Sequence, residues 1–251
     1  MCKCGGLIAA GQPARCDNDR VPPCPAASVA TERALIGRLL EQYVAAQLAG
    51  DRRSALRLII DQGLGRDVPL PRLYLDVIQA AQYRIGELWQ HNRITVAQEH
   101  LATAISQVAV AELYRALVCA PANGRRAVVA GVGGELHELG TRITADFFEM
   151  AGFAVRYLGC SVPADSLVAM LHEEPPDLLV LSVTMSFHLD ALREAVHRAR
   201  EAVGDRLRLA VGGQAFTWAP ALVTQVAADV YGQDARESVT RARRVLGLEP
   251  A

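Results

Sequence analysis

Hydrophobic positions change rhythm once along the chain. From residue 28 to about 120 they recur at helical spacing. Leu35, Leu39, Leu40 and Val44 form one apolar face, with Ser28 placed to cap its start and Gly50 to fray its end. Asp51 can cap a second helix that carries Leu56, Ile59 and Ile60 and stops at Gly63 or Gly65. Pro69 and Pro71 precede a third, with Leu75, Ile78, Ile85 and Trp89. A long, Ala-rich fourth covers about 95–117. Four helices with short connections predict a helical bundle.

Past Pro121-Ala122-Asn123-Gly124, which reads as a linker, short apolar runs alternate with amphipathic segments. Strands are expected over 127–131, 154–158, 177–182, 207–211 and 229–231. Helices are expected over about 140–151, 165–173, 189–202, 219–227 and 234–246. That alternation predicts an α/β region built on a flavodoxin-like, doubly wound parallel sheet of five strands, Rossmann-like in character. The expected division is a Cys-containing tail over 1–27, a bundle over 28–120 and the α/β domain over 121–251.

Composition narrows the class. Of the 251 residues, 51% are hydrophobic and 21% charged, as in soluble globular proteins. No apolar run approaches the roughly 18 residues of a membrane span, so no membrane association is expected. A net charge of −1 gives no basic face for phosphate, which argues against direct nucleic-acid binding. Cys2, Cys4, Cys16 and Cys24 crowd the start without a signal-peptide core, so the chain reads as cytoplasmic with reduced thiols. Their spacing fits no common zinc pattern; a disordered tail is the simpler reading, with a metal site or a covalently attached chromophore as the alternative. Cys119 and Cys160 read as small apolar fillers near element ends.

Candidate chemistry gathers at strand ends. The stretch AVVAGVGGELHELG over 127–140 is a buried strand, a glycine turn at Gly133-Gly134, then His137 in the loop and Gly140 opening a helix. A histidine there lies at the carboxyl edge of the sheet, where open α/β sheets bind ligands. Glu135 can orient or charge-tune the ring. Ser182-Val183-Thr184 closes the third strand and Gly212-Gly213 the fourth, on the same edge. His172, His188 and His197 read as mostly surface, with His188 the one placed to join a ligand network.

Together these stretches resemble the cobalamin-binding domain, whose signature is Asp-x-His-x-x-Gly, then Ser-x-Leu or Ser-x-Thr, then Gly-Gly. Here they read Glu135-x-His137-x-x-Gly140, Ser182-x-Thr184 and Gly212-Gly213, with Glu at the first position instead of Asp. The resemblance implies that the corrin's nucleotide tail inserts beside the sheet while His137 takes the lower position on cobalt, the base-off, His-on state. Glu135 would hold the other ring nitrogen. Gly140, Gly212 and Gly213 would leave room for the tail, Ser182 would donate to its base, and Val183, Thr184, Glu138, Leu139 and Tyr231 would lie along it.

The bundle is then the natural cover for the upper face. Trp89, nine residues and Glu99-His100 match the Trp-x9-Glu-His motif of the light-sensing cobalamin proteins of the carotenoid-gene repressor type. There the tryptophan packs on an upper adenosyl group, with the Glu-His pair beside it. Without that resemblance, Trp89 would be bundle core and Glu99-His100 a wet face. The repressors also carry an N-terminal DNA-binding domain, which residues 1–27 are too short to form.

The leading expectation is therefore an adenosylcobalamin photoreceptor or signalling protein, not an enzyme. Its output would pass through a homo-oligomer or a separate regulator, as in a transcriptional antirepressor. A second chromophore such as a bilin stays open. The alternative is a corrinoid protein that carries methyl groups between methyltransferases. A flavodoxin-like nucleotide binder is a third reading, weakened because no G-x-G-x-x-G or P-loop follows the first strand.

Overall fold

The structure is a computed structural model that describes residues 25–248. The N-terminal cysteines and the readings attached to them lie outside the described residues. Helix α1 (Pro25–Leu48) starts ahead of Ser28, which therefore sits within the helix and not at its cap. Helix α2 (Arg52–Arg57) begins as its sequence dictates: Asp51 accepts a hydrogen bond from the Ser54 N–H at 3.0 Å. It runs on through a π-helical segment, Leu58–Gly63. Helix α3 (Leu70–Arg72) continues through a second π-helical segment, Leu73–Gln79, into α4 (Ala80–Gln90). The two segments meet closely: a Cβ on Gly63 would stand 2.7 Å from a Leu73 methyl. Helix α5 (Val96–Tyr114) opens on a reciprocal capping box between Thr95 and Gln98 and ends shortly before the expected 117. Tyr43, Ile59, Leu73, Tyr74, Ile78, Ile105 and Leu113 fill the bundle core.

Beyond the linker, strands β1 (Arg126–Gly131), β2 (Ala154–Tyr157), β3 (Leu178–Ser182), β4 (Arg208–Gly212) and β5 (Val230–Tyr231) form one parallel sheet in the order β2-β1-β3-β4-β5. β1 and β3 are buried almost throughout, which explains their unbroken apolar sequences. Helices α6 (Glu138–Met150) and α10 (Ala235–Val245) cover one face through Ala145, Phe148 and Ala242. Helices α7 (Ala164–Glu173) and α8 (Leu189–Val203) cover the other through Leu167, Leu171, Leu192 and Val196. The register places Gly131, Ser182 and Gly212 in one row at the carboxyl edge.

One expected helix is displaced. After β4 the chain forms the short α9 (Gln214–Trp218) and then a 3₁₀ stretch, Pro220–Gln225, where a helix over 219–227 was expected. Pro220 is the reason: it drives the preceding Ala219 out of helical geometry, to φ −138° and ψ 76°.

The bundle docks on the outer side of α6. The Tyr74 and Phe147 rings lie 6.2 Å apart. The Tyr74 hydroxyl donates to Asp146 Oδ2 at 2.9 Å, and Arg142 Nε donates to Asp146 Oδ1 at 3.0 Å. The Arg142 guanidinium also lies 4.7 Å from the ring centre of Tyr114 in the bundle and 5.5 Å from that of Tyr157 at the sheet edge. Burial pushes the Asp146 carboxyl above its ordinary range, against the opposing pull of Tyr74 and Arg142. Tyr74→Phe removes one donor from a buried carboxylate, so it should cost about 1–3 kcal/mol in urea unfolding of the apoprotein. A change within about 0.5 kcal/mol would mean that this bond does not hold bundle and sheet together.

Candidate functional site

The site grows from the β1–α6 turn. Gly134 has φ +82°, a conformation that suits glycine, and its N–H donates to Ser161 Oγ at 3.3 Å. The turn buries Glu135 completely and leaves the His137 side chain 52% exposed at the head of α6. Glu135 Oε1 accepts the His137 N–H at 3.0 Å and meets His137 Nδ1 at 2.5 Å. Glu135 Oε2 accepts the N–H groups of Thr184 at 2.8 Å and Met185 at 3.2 Å, and meets His188 Nδ1 at 3.2 Å.

Burial alone would raise the Glu135 pKa, but the His137 ring and the three backbone N–H donors outweigh it and hold the carboxyl well below its usual range. Glu135 therefore stays a carboxylate. Its bond raises the His137 pKa against the opposing effect of burial, and the charge of Glu99, from the bundle helix α5, adds to the rise. With Nδ1 fixed, Nε2 is the nitrogen free for a ligand. This donor set suits a metal that brings its own macrocycle and needs one imidazole from the protein. Among the described residues no cluster of three or more His, Cys, Asp or Glu could hold a bare metal ion.

Along the sheet edge, Ser182 and Thr184 are half-buried, and Val183 is buried. Gly140 is exposed, with nothing within 4 Å of a would-be Cβ. Gly213 differs. Its φ is +109°, and a Cβ there would stand 2.2 Å from the Val183 carbonyl oxygen. Room for a ligand is thus not what makes glycine necessary there: the protein's own backbone fills the space. Gly212 is less constrained, with the Gly232 oxygen at 3.3 Å. Glu138 accepts the Tyr157 hydroxyl at 2.8 Å, Leu139 packs toward the bundle core, and Tyr231 packs on Phe216 at 5.6 Å.

On the bundle side, Trp89 ends α4 and is 40% exposed, so it is not core. In the first turns of α5, Glu99 Oε2 meets His100 Nδ1 at 2.7 Å, and Oε1 accepts the Thr103 hydroxyl at 2.9 Å. The His100 ring itself is largely exposed.

His188 is the site residue that the general reading of the later histidines as surface understated. Its side chain is only 18% exposed and belongs to the Glu135 network; a histidine six residues past Ser182 on the same edge was the available signal. His172 and His197 are exposed as expected. Cys119 is exposed, so it is no apolar filler. Cys160 lies beside the site: a Cβ on Gly131 would collide with its sulfur, and burial holds its thiol pKa up.

An open parallel sheet with a half-exposed histidine at its carboxyl edge and a helical bundle above defines a capped ligand-binding α/β protein. Two family models, each described as a B12 binding domain, match residues 39–114 and 125–240. The chain is 30% identical over 116 residues to Dimethylamine corrinoid protein 3 of Methanosarcina mazei, covering 46% of this chain and 68% of that protein. It is 31% identical over 174 residues to the HTH-type transcriptional repressor CarH of Myxococcus xanthus, covering 69% of this chain and 57% of the repressor. The fold is that of the Methanosarcina barkeri monomethylamine corrinoid protein, with a TM-score of 0.75 at 18% identity over 83% of this chain and 99% of that one. The chain belongs to the B12-binding family and is a cobalamin-binding protein. No helix among the described residues is long and apolar enough to cross a membrane.

The two glycines separate ligand space from fold space. Gly213→Ala should destabilise the apoprotein by several kcal/mol, because a left-handed φ and a backbone collision coincide. Gly140→Ala should leave the apoprotein as stable or up to about 1 kcal/mol more so. If a cobalamin tail lies beside α6, the same change weakens cobalamin binding. Thermal unfolding of both apoproteins, with titration of Gly140→Ala by cobalamin, checks this. Unchanged affinity would remove Gly140 from the tail's path.

Proposed function

We propose that this protein is an adenosylcobalamin-dependent light sensor whose output is a change in assembly or in a protein partner. The observation that carries this reading is the placement of Trp89 with the bonded Glu99–His100 pair. Trp89 keeps its indole partly uncovered at the end of α4, at a cost already met by the helix that orders it. Glu99 lies close enough to His137 for its charge to act on that ring. In this reading His137 Nε2 would bind the cobalt, and Glu135 would hold the ring through Nδ1. Ser182, Thr184 and the open space at Gly140 accept the tail, with Gly212 and the Gly213 backbone beside them. Adenosylcobalamin supplies a cobalt–carbon bond that green light breaks. Trp89 and the Glu99–His100 pair would bind the adenosyl group in the dark and lose it in the light. The contacts between α4, α5 and α6 would then relax, and a homo-oligomer or a regulator partner would respond.

A second reading is favoured by the similarity to the dimethylamine corrinoid protein. On that reading the chain carries methyl groups for partner methyltransferases and is not itself a catalyst. Trp89 separates the two. An indole offers a large surface to adenosyl and almost none to methyl, so Trp89→Ala should weaken adenosylcobalamin at least tenfold more than methylcobalamin, about 1.4 kcal/mol. Titration with each cobalamin in the dark, then size-exclusion chromatography before and after green light, checks ligand and output together. Equal loss for both cobalamins, with no light-dependent change in assembly, would favour the methyl carrier.

A further inference from the structure

We infer that Gln82 is a positioning residue that, through Thr103, fixes the direction in which Glu99 presents its carboxylate to an upper ligand. The inference rests on the reading of Glu99 as part of the upper-face site. A hydrogen-bond chain crosses three helices of the bundle to reach that carboxylate. Tyr43 Oη of α1 lies 3.1 Å from Ser106 Oγ of α5, and both residues are fully buried. Gln47 Nε2, also from α1, donates to Ser106 Oγ at 2.8 Å and to the Ala102 carbonyl at 2.9 Å. The Gln82 amide of α4 bridges onward: its two heteroatoms lie 2.9 Å from Ser106 Oγ and 2.8 Å from Thr103 Oγ1. Thr103 Oγ1 in turn lies 2.9 Å from Glu99 Oε1, while Glu99 Oε2 meets His100 Nδ1 at 2.7 Å.

Counting protons gives this chain a direction. A hydroxyl has one proton, so Thr103 can donate to the Gln82 amide or to Glu99, not to both. The bond to the charged carboxylate is the stronger, and it takes the proton. The Gln82 amide must then turn its N–H toward Thr103 and its oxygen toward Ser106, a turn that keeps the same heavy-atom positions filled. Ser106 donates to that oxygen and accepts from both Gln47 and Tyr43. Burial pushes the Tyr43 hydroxyl pKa up to about 12, so its proton is there to give. With the amide the other way round, Thr103 donates to Gln82, Ser106 must donate to Tyr43, and Glu99 Oε1 loses its Thr103 donor. One orientation of Gln82 serves Glu99 and the other does not. Gln82 also holds the Thr103 hydroxyl away from its own helix, where a threonine otherwise donates to the carbonyl four residues back, here that of Glu99.

The test uses the full chain and the ratio of its affinities for adenosylcobalamin and methylcobalamin, titrated in the dark. An adenosyl group carries hydroxyls that a carboxylate can accept, and a methyl group carries none. A misdirected Glu99 therefore shows in the ratio, whereas a general loss of packing lowers both affinities. Gln82→Met and Thr103→Val should each lower the adenosyl preference about fivefold, the size of one net hydrogen bond. Thr103→Ser keeps the hydroxyl and should restore most of the preference. Placed on Glu99→Ala, Gln82→Met should change the preference by less than about twofold, because residues acting through one group are not additive. If Glu99→Ala lowers the preference but Gln82→Met and Thr103→Val do not, the inference is overturned and the upper-face reading stands. If Gln82→Met keeps its full effect on the Glu99→Ala background, Gln82 acts through packing and the inference is equally overturned. If Glu99→Ala itself leaves the preference unchanged, the upper-face reading of Glu99 fails, and the inference fails with it.

Discussion

A carboxylate with no solvent around it must find donors inside the protein or abandon its charge, and that constraint shapes this molecule's functional edge. Glu135 meets it with backbone N–H groups from two loops and with two imidazole nitrogens. The β1–α6 and β3–α8 loops are thereby joined to each other through one side chain. The half-exposed ring of His137 follows from this arrangement, because its Nδ1 side is committed to protein and its Nε2 side is not. The sheet supplies the remaining condition: parallel strands in register bring the two loops to the same edge.

The helix that starts beside His137 also receives the bundle. Asp146 and Phe147 lie two turns further along α6 than Leu139, on a single 13-residue helix. Tyr74 reaches that helix from the bundle, and Arg142 lies against an aromatic ring on either side of the junction. A helix is stiff over this length, about 20 Å at 1.5 Å per residue. Ligand-side and cap-side contacts are therefore made by the same rigid body, with no flexible hinge between them in sequence.

Much of this was legible from residue order. Period 3.6 marked the bundle, and apolar runs punctuated by glycine marked the strands, because burial on both faces leaves a parallel strand little freedom of composition. Asp51 was readable as a cap for the same local reason. What was only partly legible was non-local. His188 was placed to join a ligand network, but its bond to Glu135, 53 residues away, is encoded by no local pattern. Cys119 failed differently: an apolar residue type near an element end does not say which way it points. The segment after β4 carried its own warning in Pro220, whose effect on the residue before it outweighed the apolar pattern that suggested a longer helix.

The position of Gly213 bears on how such chains age. Its neighbour is the Val183 backbone, so any descendant that keeps the sheet must keep that glycine, whether or not a ligand ever visits. Gly140 has no such neighbour and is tied to the fold only weakly. A lineage that abandoned its cofactor would be free to drift at Gly140 while Gly213 persisted as a relic of folding. Among distant descendants, the second glycine of the pair would thus record shared architecture, and Gly140 would be the better witness to continued use.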